Sequence, residues 1–105
     1  MKRVVVTGMA GFSPIGNDWE TIYSKLQNAK TGIVRMDDWD KYDGLNTRLG
    51  APVVDFEMPA HYSRKDLRSM GRVAQFGVLS SERALKDADL LGDDVLLNGE
   101  AGVAY

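Results

Sequence analysis

Hydrophobic and polar positions alternate in blocks along this chain. Residues 3–7, Arg-Val-Val-Val-Thr, form a short and nearly continuous apolar run. Such a run predicts a strand buried on both faces. Residues 9–16 hold Gly11, Pro14 and Gly16 and predict a turn. Trp19, Ile22, Tyr23 and Leu26 then recur at helical spacing. Asn17 is placed to cap that helix, with Glu20 three residues on to complete a capping box. The helix should end near Asn28, with Lys30-Thr31-Gly32 as its stop.

From 33 to 48 the pattern loses its period, which predicts a surface excursion. "RMDDWDKYDGLN" carries Asp37, Asp38, Asp40 and Asp43. These lack the fixed ligand spacing of a calcium loop, so a metal site is not expected there. "RLGAPVVDF", residues 48–56, reads as a strand interrupted or ended at Pro52.

The second strong element is "SRKDLRSMGRVAQFGVLSSERALKDADLLG", residues 63–92. Ser63 and Asp66 form an N-cap pair. Leu67, Met70, Ala74, Gly77, Val78, Ser81, Leu85 and Ala88 make one stripe of apolar and small residues. The pattern predicts a single amphipathic helix of about 27 residues. Gly71 and Gly77 would lie inside it at a cost of roughly 1 kcal/mol each, explained by close packing of another backbone at Gly77. Gly92 suits the stop, and "NGEAGVAY" predicts a turn and then a strand from Ala101 to Tyr105. Two apolar strands and a long amphipathic helix need more covering layers than 105 residues supply. The expectation is therefore the N-terminal piece of a larger domain, broken off within a core strand.

Composition narrows the class. The formal net charge is −2 and the sequence has no cysteine. A pI near 5.3 argues against a dedicated nucleic-acid binder. Without cysteine there is no disulfide, no thiolate metal site and no thiol nucleophile within these residues. No apolar run is long enough to span a membrane, and the start lacks the apolar core of a signal peptide. A cytoplasmic location is the expectation.

"VVVTGMAGFSPIG", residues 4–16, has the look of a dinucleotide-binding turn. "VTGMAGF" fits the opening of an extended short-chain dehydrogenase. Ser13 and Pro14 then separate Phe12 from Ile15-Gly16. That insertion moves the helix start away from the first glycines, where phosphate binding needs free amides. No bound nicotinamide cofactor, and no other cofactor, is expected.

"RVVVTGMAGFSPIGNDWETIYSKLQNAKTGI" resembles instead the start of the elongating beta-ketoacyl-acyl carrier protein synthases of the type II condensing-enzyme kind. The helix "SRKDLRSMGRVAQFGVLSSERALKDADL" and the terminal "GVAY" resemble the same family. The likeness runs over essentially all of the chain. Ser69 and Gly71 depart from it, where the family usually has a basic and an acidic residue. The resemblance implies an α/β, thiolase-like layered α-β-α-β-α fold with only its N-terminal portion present. It implies a decarboxylative Claisen condensation of malonyl-carrier protein with an enzyme-bound acyl chain, in fatty acid or polyketide biosynthesis. It also implies an acyl carrier protein as partner and a homodimeric parent. The cysteine and two histidines of that reaction do not map onto this chain. A non-catalytic, synthase-like partner subunit (a chain-length factor) stays open beside the enzyme reading, and an NAD(P)-binding short-chain dehydrogenase fragment stands behind both.

Arg64, Lys65, Arg68 and Arg72 cluster with only Asp66 opposing them. By themselves they are a solvated helix face. Through the resemblance, Lys65 and Arg68, with Arg64 behind them, become candidates to dock the acidic carrier protein. His61 is expected in a loop as a surface residue or minor packing partner, not in catalysis. Trp19, Trp39, Phe56 and Phe76 are assigned to the core rather than to an acyl pocket.

Overall fold

The computed structural model describes residues 1–104. The chain divides into two units, residues 11–57 and residues 1–10 with the chain from 58 onward.

In the unit 11–57, Ser13 and Gly16 exchange backbone hydrogen bonds of 2.9 and 3.1 Å around Pro14-Ile15. Gly32 closes against this turn. A Cβ at Gly32 would lie 2.7 Å from the Pro14 Cβ, so only glycine fits. Helix α1 then runs Trp19–Gln27. Its cap is Asp18, not Asn17: the Asp18 carboxylate accepts from the Thr21 amide at 2.8 Å and from the Thr21 hydroxyl at 2.9 Å. Asn17 is engaged elsewhere, donating from Nδ2 to the Val54 carbonyl at 2.9 Å. A carboxylate therefore already sits at the positive end of α1, where a phosphate would have to bind.

Helix α1 ends at Asn28, as its pattern predicts, but the stop comes at Ala29 rather than at residues 30–32. Ala29 is left-handed at φ 50°. The Lys30 amide donates to the Lys25 carbonyl and the Ala29 amide to the Leu26 carbonyl. This pair of bonds is the Schellman closure, and it tolerates alanine where glycine would cost less.

The irregular stretch contains a small ribbon. Strands β1 (Val34–Arg35) and β2 (Leu49–Gly50) pair antiparallel, Val34 opposite Gly50. Between them Asp37–Lys41 forms a 3-10 turn. Gly50 lets Met36 and Trp39 pack against the ribbon: a Cβ there would be 2.8 Å from Met36 Cγ and 3.1 Å from Trp39 Cη2. Asp40 joins Arg35 at 2.8 Å and Arg48 at 2.7 Å, so the aspartate run is partly neutralised by ion pairs. Among the described residues no group of three or more His, Cys, Asp or Glu could hold a metal. The strand read over 48–56 shrinks to Leu49–Gly50, short of Pro52. Phe12 and Phe56 meet edge to face at 4.9 Å. Trp19 is a correction to the core assignment, since it is 68% exposed and leans on Tyr23. Trp39, Phe56 and Phe76 are each half-buried.

In the other unit, the long predicted helix is two helices. Helix α2 is Arg64–Leu67 and helix α3 is Arg72–Asp87. Gly71 is not inside a helix. It is the N-cap of α3 in an extended conformation, φ −68° and ψ 169°. Helical amphipathicity continues across the break, because both helices offer an apolar face, so periodicity alone does not reveal it. Helix α3 closes before Gly92. Asp89 takes the left-handed conformation at φ 57°, with the Leu90 amide on the Leu85 carbonyl and the Asp89 amide on Lys86. A 3-10 turn at Asp94–Leu96 follows, capped by Asp93.

Only Leu79 on α3 is fully buried among the described residues, at 1% exposure, and it lies off the predicted stripe. Neither apolar strand at the two ends forms a ladder. Residues 3–7 are irregular and Val4 is 91% exposed. Residues 101–104 are irregular too, and Tyr105 lies outside the described residues. A strand needs a paired backbone beside it, which no described segment supplies at either run. Gly8 nonetheless docks on α3. A Cβ there would strike the Ala84 carbonyl oxygen and lie 2.7 Å from the Ala88 amide. The Met9 amide donates to Asp87 Oδ2 at 2.9 Å. The glycine at position 8 thus serves close packing of backbone on helix. Among the described residues, no helix is long and apolar enough to cross a membrane.

Candidate functional site

Arg64 and Lys65 sit on α2 and Arg68 is its C-cap, and the local sequence explains why α2 exists. Ser63 Oγ accepts from the Asp66 amide at 3.2 Å, and Asp66 Oδ2 accepts from the Ser63 amide at 2.9 Å. The Ser63 hydroxyl donates to the same carboxylate at 2.6 Å. The capping box read from the sequence is thus complete. The hydroxyl bond, and then the backbone bond, hold the Asp66 carboxyl below its ordinary value.

This cap shapes the electrostatics of the patch. Asp66 is the one acid within the cluster, and its oxygens face Ser63. Among the described residues no acidic side chain forms an ion pair with Arg64, Lys65 or Arg68. All three are exposed, and together they line an open cleft of about 430 Å³. Lys65 and Arg68 are three apart, so they share a side of α2. Arg72 does not belong to the group. It stands on α3 beyond the Gly71 break, its guanidinium 5.0 Å from the centroid of the Phe76 ring.

The structure adds a cluster that the sequence does not reveal. Tyr62 donates its hydroxyl to Glu82 Oε2 on α3. His61 Nε2 lies 2.9 Å from the same oxygen. The His61 and Tyr62 rings lie tilted against each other, their centroids 4.4 Å apart. His61 is exposed in the loop before α2, as expected of it. Glu82 follows Tyr62 by 20 positions, and no local motif links them. Only the packing of the loop before α2 against α3 brings them together.

Both ends of this tie titrate away from their ordinary values. The bond to Glu82 is the main cause that pushes the Tyr62 hydroxyl from 10.0 up to about 12, with desolvation next. The Tyr62 and His61 bonds hold the Glu82 carboxyl below its ordinary 4.5. Glu82 is lowered, so its contribution is present above 4.5 and is lost as pH falls through the depressed value. Tyr62 is raised, so its contribution is present below 10.0 and is lost as pH rises through about 12. In the folded protein the Tyr62 Cζ chemical shift should therefore stay flat through pH 10 and move only near 12.

Known proteins resemble this chain along its length. The profile of the "Beta-ketoacyl synthase, N-terminal domain" family matches residues 1–105. The 3-oxoacyl-[acyl-carrier-protein] synthase 2 of Vibrio harveyi is 37% identical over 89 residues, covering 85% of this chain and 21% of that protein. The synthase 2 of Synechocystis sp. is 36% identical over 90 residues, covering 86% of this chain and 21% of its own. In the crystal structure of a beta-ketoacyl synthase from Burkholderia phymatum STM815, the matching backbone superposes with a TM-score of 0.91. Sequence identity there is 47%, over 100% of this chain and 26% of that one. The chain thus spans about a fifth of the length of the curated relatives it matches. With a family profile matched along its whole length and a backbone that follows a solved member, the chain belongs to the beta-ketoacyl synthase N-terminal domain family.

Proposed function

We propose that this chain is the N-terminal part of a 3-oxoacyl-[acyl carrier protein] synthase, an acyltransferase whose whole fold is the thiolase-like layered α-β-α-β-α arrangement. The supporting observation is the match of backbone and sequence over the full chain to a beta-ketoacyl synthase. In the proposed reaction an acyl group passes from a carrier-protein thioester to an enzyme thiol, releasing the carrier thiol. Malonyl-carrier protein loses CO2, and the resulting enolate attacks the acyl-enzyme to give a 3-oxoacyl product two carbons longer. The thiol returns as leaving group. The nucleophile has to come from residues other than these, since the sequence has no cysteine.

This segment contributes binding. Arg64, Lys65 and Arg68 present unneutralised positive charge on α2, and an acidic carrier protein is steered by such a local patch even where net charge is negative. The parent is a cytoplasmic homodimer in this reading. Its test is an assay of the full-length protein with acyl- and malonyl-carrier protein. Release of CO2 with formation of the 3-oxoacyl product supports the enzyme. Failure to acylate any cysteine and to form that product identifies the non-catalytic partner subunit instead.

A further inference from the structure

Helix α2 has four residues. A helix that short has little stability of its own, since the first turn costs more conformational entropy than its bonds return. The capping box satisfies its first amides but does not aim it. The direction of Lys65 and Arg68 depends on what anchors the segment just before them.

That anchor is the tie to α3. Glu82 projects from a sixteen-residue helix whose Leu79, one turn earlier, is fully buried. The side chain of Glu82 is only 21% exposed, so its carboxylate is shielded and held in place. One oxygen, Oε2, receives the Tyr62 hydroxyl and lies 2.9 Å from His61 Nε2. Tyr62 and His61 immediately precede Ser63, the N-cap of α2. A rigid acceptor on a long helix thereby fixes two consecutive residues at the root of a short one. Bonds to a charged acceptor are among the stronger ones a side chain makes.

We propose that Glu82, through Tyr62 and His61, is a positioning residue that orients the basic helix α2 for its acidic partner. The inference rests on the docking reading given above. It assigns Glu82 no contact with substrate. Its role is to keep the Lys65 and Arg68 charges preorganised, so that binding does not have to order them.

The test uses the full-length synthase with Tyr62→Phe, Glu82→Ala, their combination, and Glu82→Gln. Tyr62→Phe removes only the hydroxyl and keeps the ring against His61. Glu82→Gln keeps an acceptor oxygen. Two readouts are needed: KM and kcat with acyl-carrier protein and with a small acyl thioester, and hydrogen exchange at the Asp66 and Leu67 amides.

Tyr62→Phe and Glu82→Ala should raise KM for the carrier-protein substrate about three- to tenfold, less than the full loss of a charge-assisted hydrogen bond, because only the part that orients α2 reaches the partner. Values of kcat, and all turnover of the small thioester, should be unchanged. The two α2 amides should exchange faster. The double variant should be no worse than the more affected single one, because both remove the same bond. Glu82→Gln should recover most of the lost affinity. Equal losses with both substrates, or unaltered exchange in α2, would overturn the proposal. A Lys65→Glu/Arg68→Glu variant separates the two ideas. If it loses carrier-protein turnover selectively while Glu82→Ala does not, this inference fails and docking stands. If it spares that turnover, the docking reading fails and the inference falls with it.

Discussion

Reversing Lys65 and Arg68 together to glutamate in the full-length protein should, under the proposed function, cut turnover with carrier-protein substrates by roughly ten- to a hundredfold. Turnover of a small acyl thioester should hold. Each exposed ion pair is worth only about 0.2–1 kcal/mol, so truncation to alanine would have a modest effect. Charge reversal does more, because it replaces attraction with repulsion at both positions. The two side chains share one side of α2, and their local acid, Asp66, is held by Ser63. Nothing nearby compensates the reversal. Most of the loss should appear in the association rate, since exposed charges chiefly steer encounter. It should shrink as added salt brings the Debye length below about 10 Å. Equal loss with both substrates would mean damage to the fold or the active site. Loss with neither would leave α2 as a solvated face. Arg72, spent over Phe76 on a different helix, should matter less when reversed alone.

The chain produced by itself should be molten or aggregate, with poorly dispersed amide resonances and strong binding of an apolar dye. Among its described residues only Leu79 is fully buried. Helix α3 carries an open apolar groove of about 620 Å³, lined by Gly71, Val73, Ala74, Gly77 and Val78, with Val73 84% exposed. A second groove of about 700 Å³ runs past Ala84, Leu85, Leu90, Val95 and Leu96. The valines of residues 4–6 are exposed as well. Apolar surface of that extent is rare on a stable monomer. Each uncovered aliphatic side chain forfeits roughly 1.5–3 kcal/mol of burial, while the entropic cost of ordering the backbone stays in full. A sharp cooperative melt of residues 1–105 would refute the prediction. Joined to the remainder of the proposed synthase, the same residues should melt with it as one unit.

The local chemistry of the sequence determined what can be satisfied within one turn of helix. Ser63 and Asp66 are three apart and cap α2 as read, because both bonds close over a single turn. Trp19, Ile22, Tyr23 and Leu26 marked α1, and Asn28 ended it. The charges of Arg64, Lys65 and Arg68 were visible for the same reason: exposure needs no partner to be inferred. Family membership was legible too, since a series of modest motifs at fixed spacing survives without any one of them being diagnostic.

Tertiary structure decided wherever two local solutions were close in energy. Asn17 and Asp18 are both good caps, and the choice fell to Asp18 because the carbonyl of Val54, 37 residues away, engages Asn17. Gly71 could have continued a helix at about 1 kcal/mol, or broken it. It caps α3 instead, which divides the basic cluster and leaves Arg72 with Phe76. Valines 4–6 promised a buried strand, but a strand is a relation between backbones, and the run has no ladder among the described residues. The tie of His61 and Tyr62 to Glu82 was beyond any local reading. Two residues at the foot of one helix find an acceptor on another only after the chain turns back. Periodicity records which face of a segment is apolar; it does not record which segment that face will meet.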